Sequence, residues 1–400
     1  MNQLQLFLPC AAGVEEFLAA EVLGITGIKA QSWRGGVLVD GSWRDALLLN
    51  LHSRLAQRVL VHLSTTPYRN EQDLYRAASE VAWEIWFTPR QSFKVEITAQ
   101  HSPLTSLNFA ALKIKDALVD RFRNKSGVRP DVETRWPDVR VFAHLTNEHL
   151  TLYIDTSGEA LFKRGWRADK GDAPLKETLA AAMLAASGWD ATVPLYDPCC
   201  GSGTIAIEAA QIACNIAPGQ LRRFGFEKLL PFQSHVWSAI KFEAKSAERK
   251  PTTEVFGSDV AFRMVDFAER NAERAGVAHA VQLRGGDALQ RMPPVDRPGL
   301  ILMNPPYGER IETAGFAGRE SAQVDPSDAA GNSTGDGDFF RMLAAHWKKN
   351  YNGWTAWVLT PDLKLPGRMR LKESRRVPLW NGPIECRLFR FALTPPPPRG

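Results

Sequence analysis

The sequence predicts an open α/β sheet in its C-terminal half, preceded by a compact α+β region, and three observations carry that prediction. Residues 193–197 form a short apolar run that ends in Asp197 and enters the turn Pro198-Cys199-Cys200-Gly201-Ser202-Gly203-Thr204; a helix start follows at 205–210. Residues 254–259 and 281–287 read as strands, and each closes on a carboxylate, Asp259 and Asp287. The apolar run 299–303 reads as a buried strand that enters Asn304-Pro305-Pro306-Tyr307. Strands of this kind bring polar groups to the carboxyl edge of an open sheet, where such sheets bind ligands.

Ahead of that core, residues 4–9 alternate polar and apolar side chains and 14–23 has helical spacing. Residues 36–40 read as a strand, 43–51 as a helix, and 58–63 and 93–99 as strands with a helical 73–86 between them. An amphipathic helix is expected at 109–123, and 139–145 with 150–155 looks like a closing hairpin. Residues 215–251 hold helical stretches and scattered charges, and are read as an excursion from the α/β core with Trp237 and Phe242 as packing residues. Residues 313–338 are rich in Gly, Ala, Ser and Asp, so a mobile insertion is expected at 311–338, either a lid over a substrate or a neutral surface segment. Helical spacing returns at 339–347, 354–359 reads as a strand, and 395–400 is a stiff Pro-rich tail.

Four hundred residues are long for one core, so two or three domains are expected. No apolar stretch approaches membrane-spanning length, and the N-terminus lacks a basic segment followed by an apolar signal core. The five cysteines show no paired metal-ligand spacing, and Cys199 and Cys200 are adjacent within the glycine turn. A cytoplasmic, reduced protein with no metal and no membrane partner is the expectation. The net charge of +5 is modest, but the cations cluster. One group runs from Lys113 to Arg140, a second holds Lys163, Arg164, Arg167 and Lys170, and a third runs from Lys364 to Arg376. Three such groups suit an electrostatic track for nucleic acid.

The turn after Asp197 lacks the Gly-Lys-Ser/Thr ending of a phosphate-binding loop and the three-glycine spacing of a dinucleotide site. An acid at its opening favours a ligand with a cationic or amine end. Gly201 and Gly203 permit unusual backbone angles, and Ser202 or Thr204 is available as a helix cap. Asp259 is placed to accept both hydroxyls of a ribose and Asp287 to hold an adenine amine. Asn304 and the Pro305 carbonyl form a stiff pair of acceptors for a flat, amine-bearing ring, and Tyr307 offers that ring a face. Holding both amine hydrogens favours the pyramidal form that attacks.

With these motifs in place, residues 174–394 resemble the class I S-adenosylmethionine-dependent methyltransferases that modify exocyclic amines. The whole chain is similar to bacterial RNA methyltransferases carrying an N-terminal THUMP domain, within them the group acting on the 2-amino group of a guanine in 23S ribosomal RNA. The segments Leu161-Phe162-Lys163-Arg164-Gly165-Trp166-Arg167, Pro174-Leu175-Lys176-Glu177-Thr178-Leu179, Gly308-Glu309-Arg310 and Asn381-Gly382-Pro383-Ile384-Glu385-Cys386 extend the likeness. The resemblance implies a Rossmann-like core with a seven-stranded, mostly parallel sheet behind an α+β ferredoxin-like/THUMP region. It implies a ferredoxin-like segment at 1–60, a THUMP domain at 61–157, a junction and lead-in helix at 158–185 and a methyltransferase domain at 186–394.

S-adenosyl-L-methionine is the implied cofactor, held by Asp197, Pro198, Gly201, Ser202, Gly203, Thr204, Asp259, Asp287 and Asn304. Catalysis falls to Asn304, Pro305, Pro306 and Tyr307. RNA is the implied partner, met by Lys113, Arg121, Arg123, Lys163, Arg164 and Arg167. Some relatives carry a second methyltransferase domain, which is expected to be absent here. The motifs leave open a transfer-RNA guanine methyltransferase, an adenine 6-amino methyltransferase on RNA or DNA, and a non-catalytic assembly factor. They are silent on oligomeric state.

Overall fold

The computed structural model describes residues 3–171, 174–305 and 334–394, and it separates the chain into two units. The first comprises Met1–Cys10, Leu18–Leu161 and Arg222–Glu243. Its elements run β1 (Leu4–Pro9), α1 (Glu15–Thr26), β2 (Gln31–Trp33), β3 (Gly36–Gly41), α2 (Trp43–His52), β4 (Leu60–Pro67), α3 (Glu71–Glu80), a 3-10 turn (Trp83–Ile85), β5 (Phe93–Ala99), α4 (Leu107–Ser126), β6 (Val139–Leu145) and β7 (His149–Asp155). One seven-stranded sheet joins them in the order β2-β3-β1-β4-β7-β6-β5. Only the β5–β6 pair is parallel; the others are antiparallel. β4 pairs with β1 through Leu60 and Val61 and with β7 along its length, so the boundary expected at residue 60 falls inside a continuous sheet.

Local chemistry sets the ends of these helices. Ser42 and Asp45 form a reciprocal capping box at the start of α2, and Asn70 with Asp73 does the same for α3. α4 starts on the Ser106 hydroxyl and stops at Gly127, whose φ of +74° is a left-handed cap. The helix expected over 73–86 instead ends at Glu80, because the Trp83 indole donates to the Ala78 carbonyl at 2.8 Å and satisfies a helix-end acceptor.

The expected excursion from the α/β core is partly reassigned: residues 222–243 belong to the first unit. The Phe226 amide bonds the Thr156 carbonyl and the Leu230 amide the Trp86 carbonyl, both at 2.8 Å. Trp237 packs edge-on to Phe224 and Phe226, with ring centroids 5.6 and 4.9 Å away. Phe242, by contrast, is 73% exposed and packs nothing into a core.

The second unit comprises Ala11–Phe17, Phe162–Leu221 and Ala244–Gly400. After α5 (Glu177–Ser187) come β8 (Leu195–Asp197), α6 (Thr204–Ala213), α7 (Ser234–Ser246, its residues up to Glu243 being counted with the first unit), β9 (Val255–Asp259), α8 (Phe262–Arg274), β10 (Val281–Gly285) and β11 (Leu300–Met303). The chain closes with α9 (Thr334–Asn350), β12 (Thr355–Thr360), α10 (Leu365–Met369), β13 (Glu373–Asn381) and β14 (Ile384–Ala392). The sheet order is β10-β9-β8-β11-β12-β14-β13. The first five strands are mutually parallel, and β14 runs antiparallel to both β12 and β13.

This is the Rossmann-like, mostly parallel seven-stranded sheet that the sequence leads one to expect. β8 and β11 are wholly buried, which is why they read as unbroken apolar runs. Ile301 and Met303 of β11 pack with Trp347 of α9 and with Phe389 and Phe391 of β14. No described helix is long and apolar enough to cross a membrane, and no described cluster of His, Cys, Asp and Glu is arranged to hold a metal.

Candidate active site

Strand register brings four candidate positions to one edge. Asp197 pairs with Gly257 across β8 and β9, and Gly285 pairs with Asp259 across β9 and β10. Ile301 pairs with Tyr196 across β11 and β8. All four strands are parallel, so Asp197, Asp259, Asp287 and Asn304 lie at or just past their carboxyl ends.

The turn between β8 and α6 is held from both sides. The Cys200 amide donates to the Ser258 carbonyl at 2.9 Å, and the Gly201 amide donates to Asp259 Oδ2 at 2.9 Å. Gly201 and Gly203 both take positive φ, +52° and +88°. At Gly203 a side chain is also excluded by packing, since a Cβ there would fall 2.9 Å from the Ala268 Cβ of α8.

Asp197 is buried, and burial, reinforced by the nearby Asp259, pushes its carboxyl up to about 8. Its Oδ1 accepts the Cys199 amide at 3.1 Å, and no cation faces it among the described residues. Burial also raises Asp259, against the Gly201 and Ala261 amides that favour its charged form. Asp287 Oδ1 accepts the Leu289 amide at 2.9 Å. The Cys199 and Cys200 thiols are pushed well up by burial and then by the neighbouring carboxylates, so they stay protonated and inert.

Asn304 leaves the end of β11 with its Oδ1 buried and without a hydrogen-bond partner among the described residues. A buried amide oxygen left unpaired is costly, so this is an acceptor awaiting a donor. Pro305 beside it is buried. Pro306 and Tyr307 lie outside the described residues, as do Gly308-Glu309-Arg310, residues 311–333 of the insertion expected at 311–338, and the tail at 395–400.

Several expected contacts are corrected. The Ser202 and Thr204 hydroxyls do not face outward from the turn: Arg167 donates to them at 2.9 and 2.7 Å. Neither is the helix cap, which is Gly203 with no side-chain cap bond. Arg167 also pairs with Glu177 at 2.8 Å, and its side chain is only 12% exposed, so it is no surface contact for RNA. Arg164 is 1% exposed and pairs at 3.0 Å with the equally buried Glu208 of α6. Arg121 grips Glu84 through Nε and a terminal nitrogen at 2.8 and 2.7 Å, and that pairing holds the Glu84 carboxyl down at about 2. Arg121 therefore fastens α4 to the 3-10 turn. Of the expected RNA contacts, Lys163 and Arg123 are exposed, Arg123 beside Asp120, and Lys113 is half-buried over the Phe109 ring.

Two residues were missed. Phe262, at the start of α8, is 75% exposed, and a Cβ at Gly285 would fall 2.7 Å from its Cδ1. Its ring thus lies against Gly285, the last residue of β10, beside the strand ends that carry Asp259 and Asp287; an aromatic three residues past an acid-ended strand was the available signal. Asn271 of α8 is fully buried, and its Nδ2 donates to the Ser202 carbonyl at 3.0 Å and to the Asp169 carbonyl at 2.9 Å. Nothing local in the sequence marks it.

Known proteins resemble the chain throughout. Residues 5–60 match the RlmL ferredoxin-like domain, 68–155 the THUMP domain and 164–319 the RMKL-like methyltransferase domain. The chain is 35% identical over 401 residues to the ribosomal RNA large subunit methyltransferase K/L of Psychromonas ingrahamii, covering 99% of this chain and 51% of that protein. The chain thus spans about half the length of the curated relatives it matches. SMU.472, solved as a complex with SAH, superposes with a TM-score of 0.85 at 26% identity and 98% coverage of both chains. A predicted N6-adenine-specific DNA methylase from Listeria monocytogenes superposes with a TM-score of 0.83 at 28% identity, covering 98% of this chain and 96% of that one.

Proposed function

Since this chain belongs to the THUMP-domain class I methyltransferases, we propose that it transfers a methyl group from S-adenosylmethionine to the 2-amino group of a guanine in large-subunit ribosomal RNA. The observation that carries this reading is the buried Asn304 Oδ1 at the end of β11, which has no hydrogen-bond partner among the described residues. An amine hydrogen is the donor it lacks, and the Pro305 carbonyl is the second acceptor beside it.

The residues fit the cofactor. Asp197 is a buried carboxyl group with no facing cation among the described residues, which suits the α-ammonium of the methionine portion. Each Asp259 oxygen accepts one amide, and a carboxylate has lone pairs to spare for two ribose hydroxyls. Asp287 and the Phe262 ring, which lies against Gly285 two residues before it, are the proposed adenine contacts. When bound, the cofactor supplies an electrophilic methyl on a sulfonium, a leaving group that needs no further activation.

The protein therefore mainly positions and polarises. Asn304 and the Pro305 carbonyl hold the two amine hydrogens and turn the nitrogen lone pair towards the methyl. The bound cofactor would supply the methyl and leave as a neutral thioether, and the proton shed by the methylated amine would pass to solvent water, so no residue of the chain is required as a general base. Reaching the amine means extruding the base, at about a few kcal/mol, and stacking on Tyr307 returns roughly 1–3 kcal/mol. Lys113, Arg123 and Lys163 are the proposed backbone contacts.

The test is methyl transfer from labelled S-adenosylmethionine to ribosomal RNA, transfer RNA and duplex DNA from cells lacking this gene, followed by nucleoside analysis. The expected product is 2-methylguanosine in large-subunit RNA. Label in transfer RNA would move the substrate, and 6-methyladenine would move the base. Label as 7-methylguanosine would overturn the amine chemistry, because a ring nitrogen brings no hydrogens for Asn304 to accept.

A further inference from the structure

Residues 162–171 run as a strap against the turn that follows β8, and three side-chain links tie the two together. Arg164 pairs with Glu208 of α6, both buried. Asn271 of α8 bridges the Asp169 carbonyl on the strap and the Ser202 carbonyl in the turn. Arg167 makes the third and densest link. Its Nε donates to Glu177 Oε1 at 2.8 Å, one terminal nitrogen donates to Ser202 Oγ at 2.9 Å, and the other donates to Thr204 Oγ1 at 2.7 Å and the Leu175 carbonyl at 3.2 Å. The guanidinium lies over the Trp166 ring, 5.0 Å from its centroid.

The turn needs such a clamp. Two glycines at positive φ flank Ser202, and glycine turns cost more chain entropy to fix than any other. α6 has no side-chain cap of its own, so its first turn gains little order from local bonds. A planar fork that reaches two hydroxyls two residues apart fixes the backbone between them, which a point-charge ammonium cannot do. Glu177 in turn fixes the fork from the opposite side, at the first turn of α5.

We propose that Arg167 is a positioning residue for the cofactor: through Ser202 and Thr204 it holds the Gly201–Gly203 turn in its binding conformation before S-adenosylmethionine arrives. This rests on the reading that the turn takes the methionine portion. Arg167 touches neither cofactor nor substrate in this scheme, and its effect appears as affinity gained through preorganisation.

The experiment uses the full chain with Arg167→Lys and with the double substitution Ser202→Ala/Thr204→Val, which removes the two acceptors while leaving Arg167 paired with Glu177. SAH binding is measured by titration calorimetry, KM for S-adenosylmethionine and kcat by methyl transfer, and fold by thermal unfolding. Each variant is expected to weaken SAH and raise KM by about ten-fold, with kcat at saturating cofactor within about three-fold of wild type. Combining them should add little, since both remove the same contacts. SAH affinity unchanged in the double substitution, or in a folded Arg167→Lys, would leave Arg167 a mere stability element and overturn the proposal. Wild-type protein that binds no SAH would overturn it too, together with the cofactor reading; unchanged variants beside a tight-binding wild type overturn the clamp alone.

Discussion

The Gly201 amide donates to Asp259 Oδ2 at 2.9 Å, so the turn after β8 is fastened to the carboxylate that ends β9. The second oxygen of Asp259 takes the Ala261 amide at 2.9 Å. One side chain therefore holds the turn and, in the proposed reading, the ribose. Asp259→Ala removes both functions and is expected to weaken SAH by about 10²-fold, as the loss of two charge-assisted hydrogen bonds implies. Asp259→Asn keeps one acceptor and should fall between. Calorimetric titration decides it: an alanine variant within about two-fold of wild type would remove Asp259 from the site.

Asp197 gives a pH dependence with a definite sign. Its carboxyl sits at about 8 in the folded protein, above the ordinary value near 4 in the unfolded chain. Between those values the folded state holds a proton that the unfolded state releases, so this group's contribution to stability falls as pH rises and levels off above about 8. Thermal unfolding of ligand-free protein should show less of this decline in Asp197→Asn. In the proposed reading SAH binding runs the other way, because the ligand ammonium would favour the carboxylate. Affinity should rise with pH up to about 8, with proton release visible as a buffer-dependent enthalpy. A pH-independent enthalpy and affinity across that window would mean that Asp197 does not meet the ammonium.

The strand ends were legible because each is a local signal: an apolar run, then a carboxylate or a proline-stiffened turn. Burial of Arg164 and Arg167 was not, since their partners Glu208, Ser202 and Thr204 lie 35 to 44 residues further on. Read locally, those arginines belong to a basic surface cluster. The β13–β14 hairpin escaped for a related reason. Arg375, Arg376, Arg387 and Arg390 interrupt its apolar positions, and only Val377, Leu379, Cys386, Leu388, Phe389 and Phe391 face the interior. The fate of residues 222–243 depended on a nest of three aromatics and on backbone partners, Thr156 and Trp86, that lie 70 to 144 residues earlier in the chain, which no window of the sequence contains.

The Arg164–Glu208 pair separates a structural arginine from an RNA contact. Arg164→Met leaves the Glu208 carboxylate buried without its main counter-charge, which costs about 3–5 kcal/mol. Adding Glu208→Leu should recover most of that loss, because an apolar pair of similar volume replaces the ions. Urea unfolding measures both. RNA affinity of the folded single variant should stay within about two-fold of wild type. A large fall in RNA affinity at unchanged stability would return Arg164 to the surface role its sequence neighbourhood suggested.

In the proposed reading Asn304 carries the chemistry, and its replacement should dissociate turnover from binding. Its Oδ1 is buried and unpartnered among the described residues, while Asp197 and the glycine turn, the proposed cofactor contacts, lie at neighbouring strand ends. Asn304→Ala removes an acceptor aimed at the amine and leaves those neighbours in place. Loss of one preorganised polar group at a reacting centre typically costs about 10²–10³ in kcat. Methyl transfer is therefore expected to fall by that factor while SAH affinity stays within about five-fold of wild type. Asn304→Asp offers the same geometry with a full negative charge, so it should retain more turnover than alanine if accepting the amine hydrogens is the function. An alanine variant that methylates RNA at the wild-type rate would remove Asn304 from catalysis. One that loses SAH affinity and turnover in equal measure would place it in the cofactor site instead.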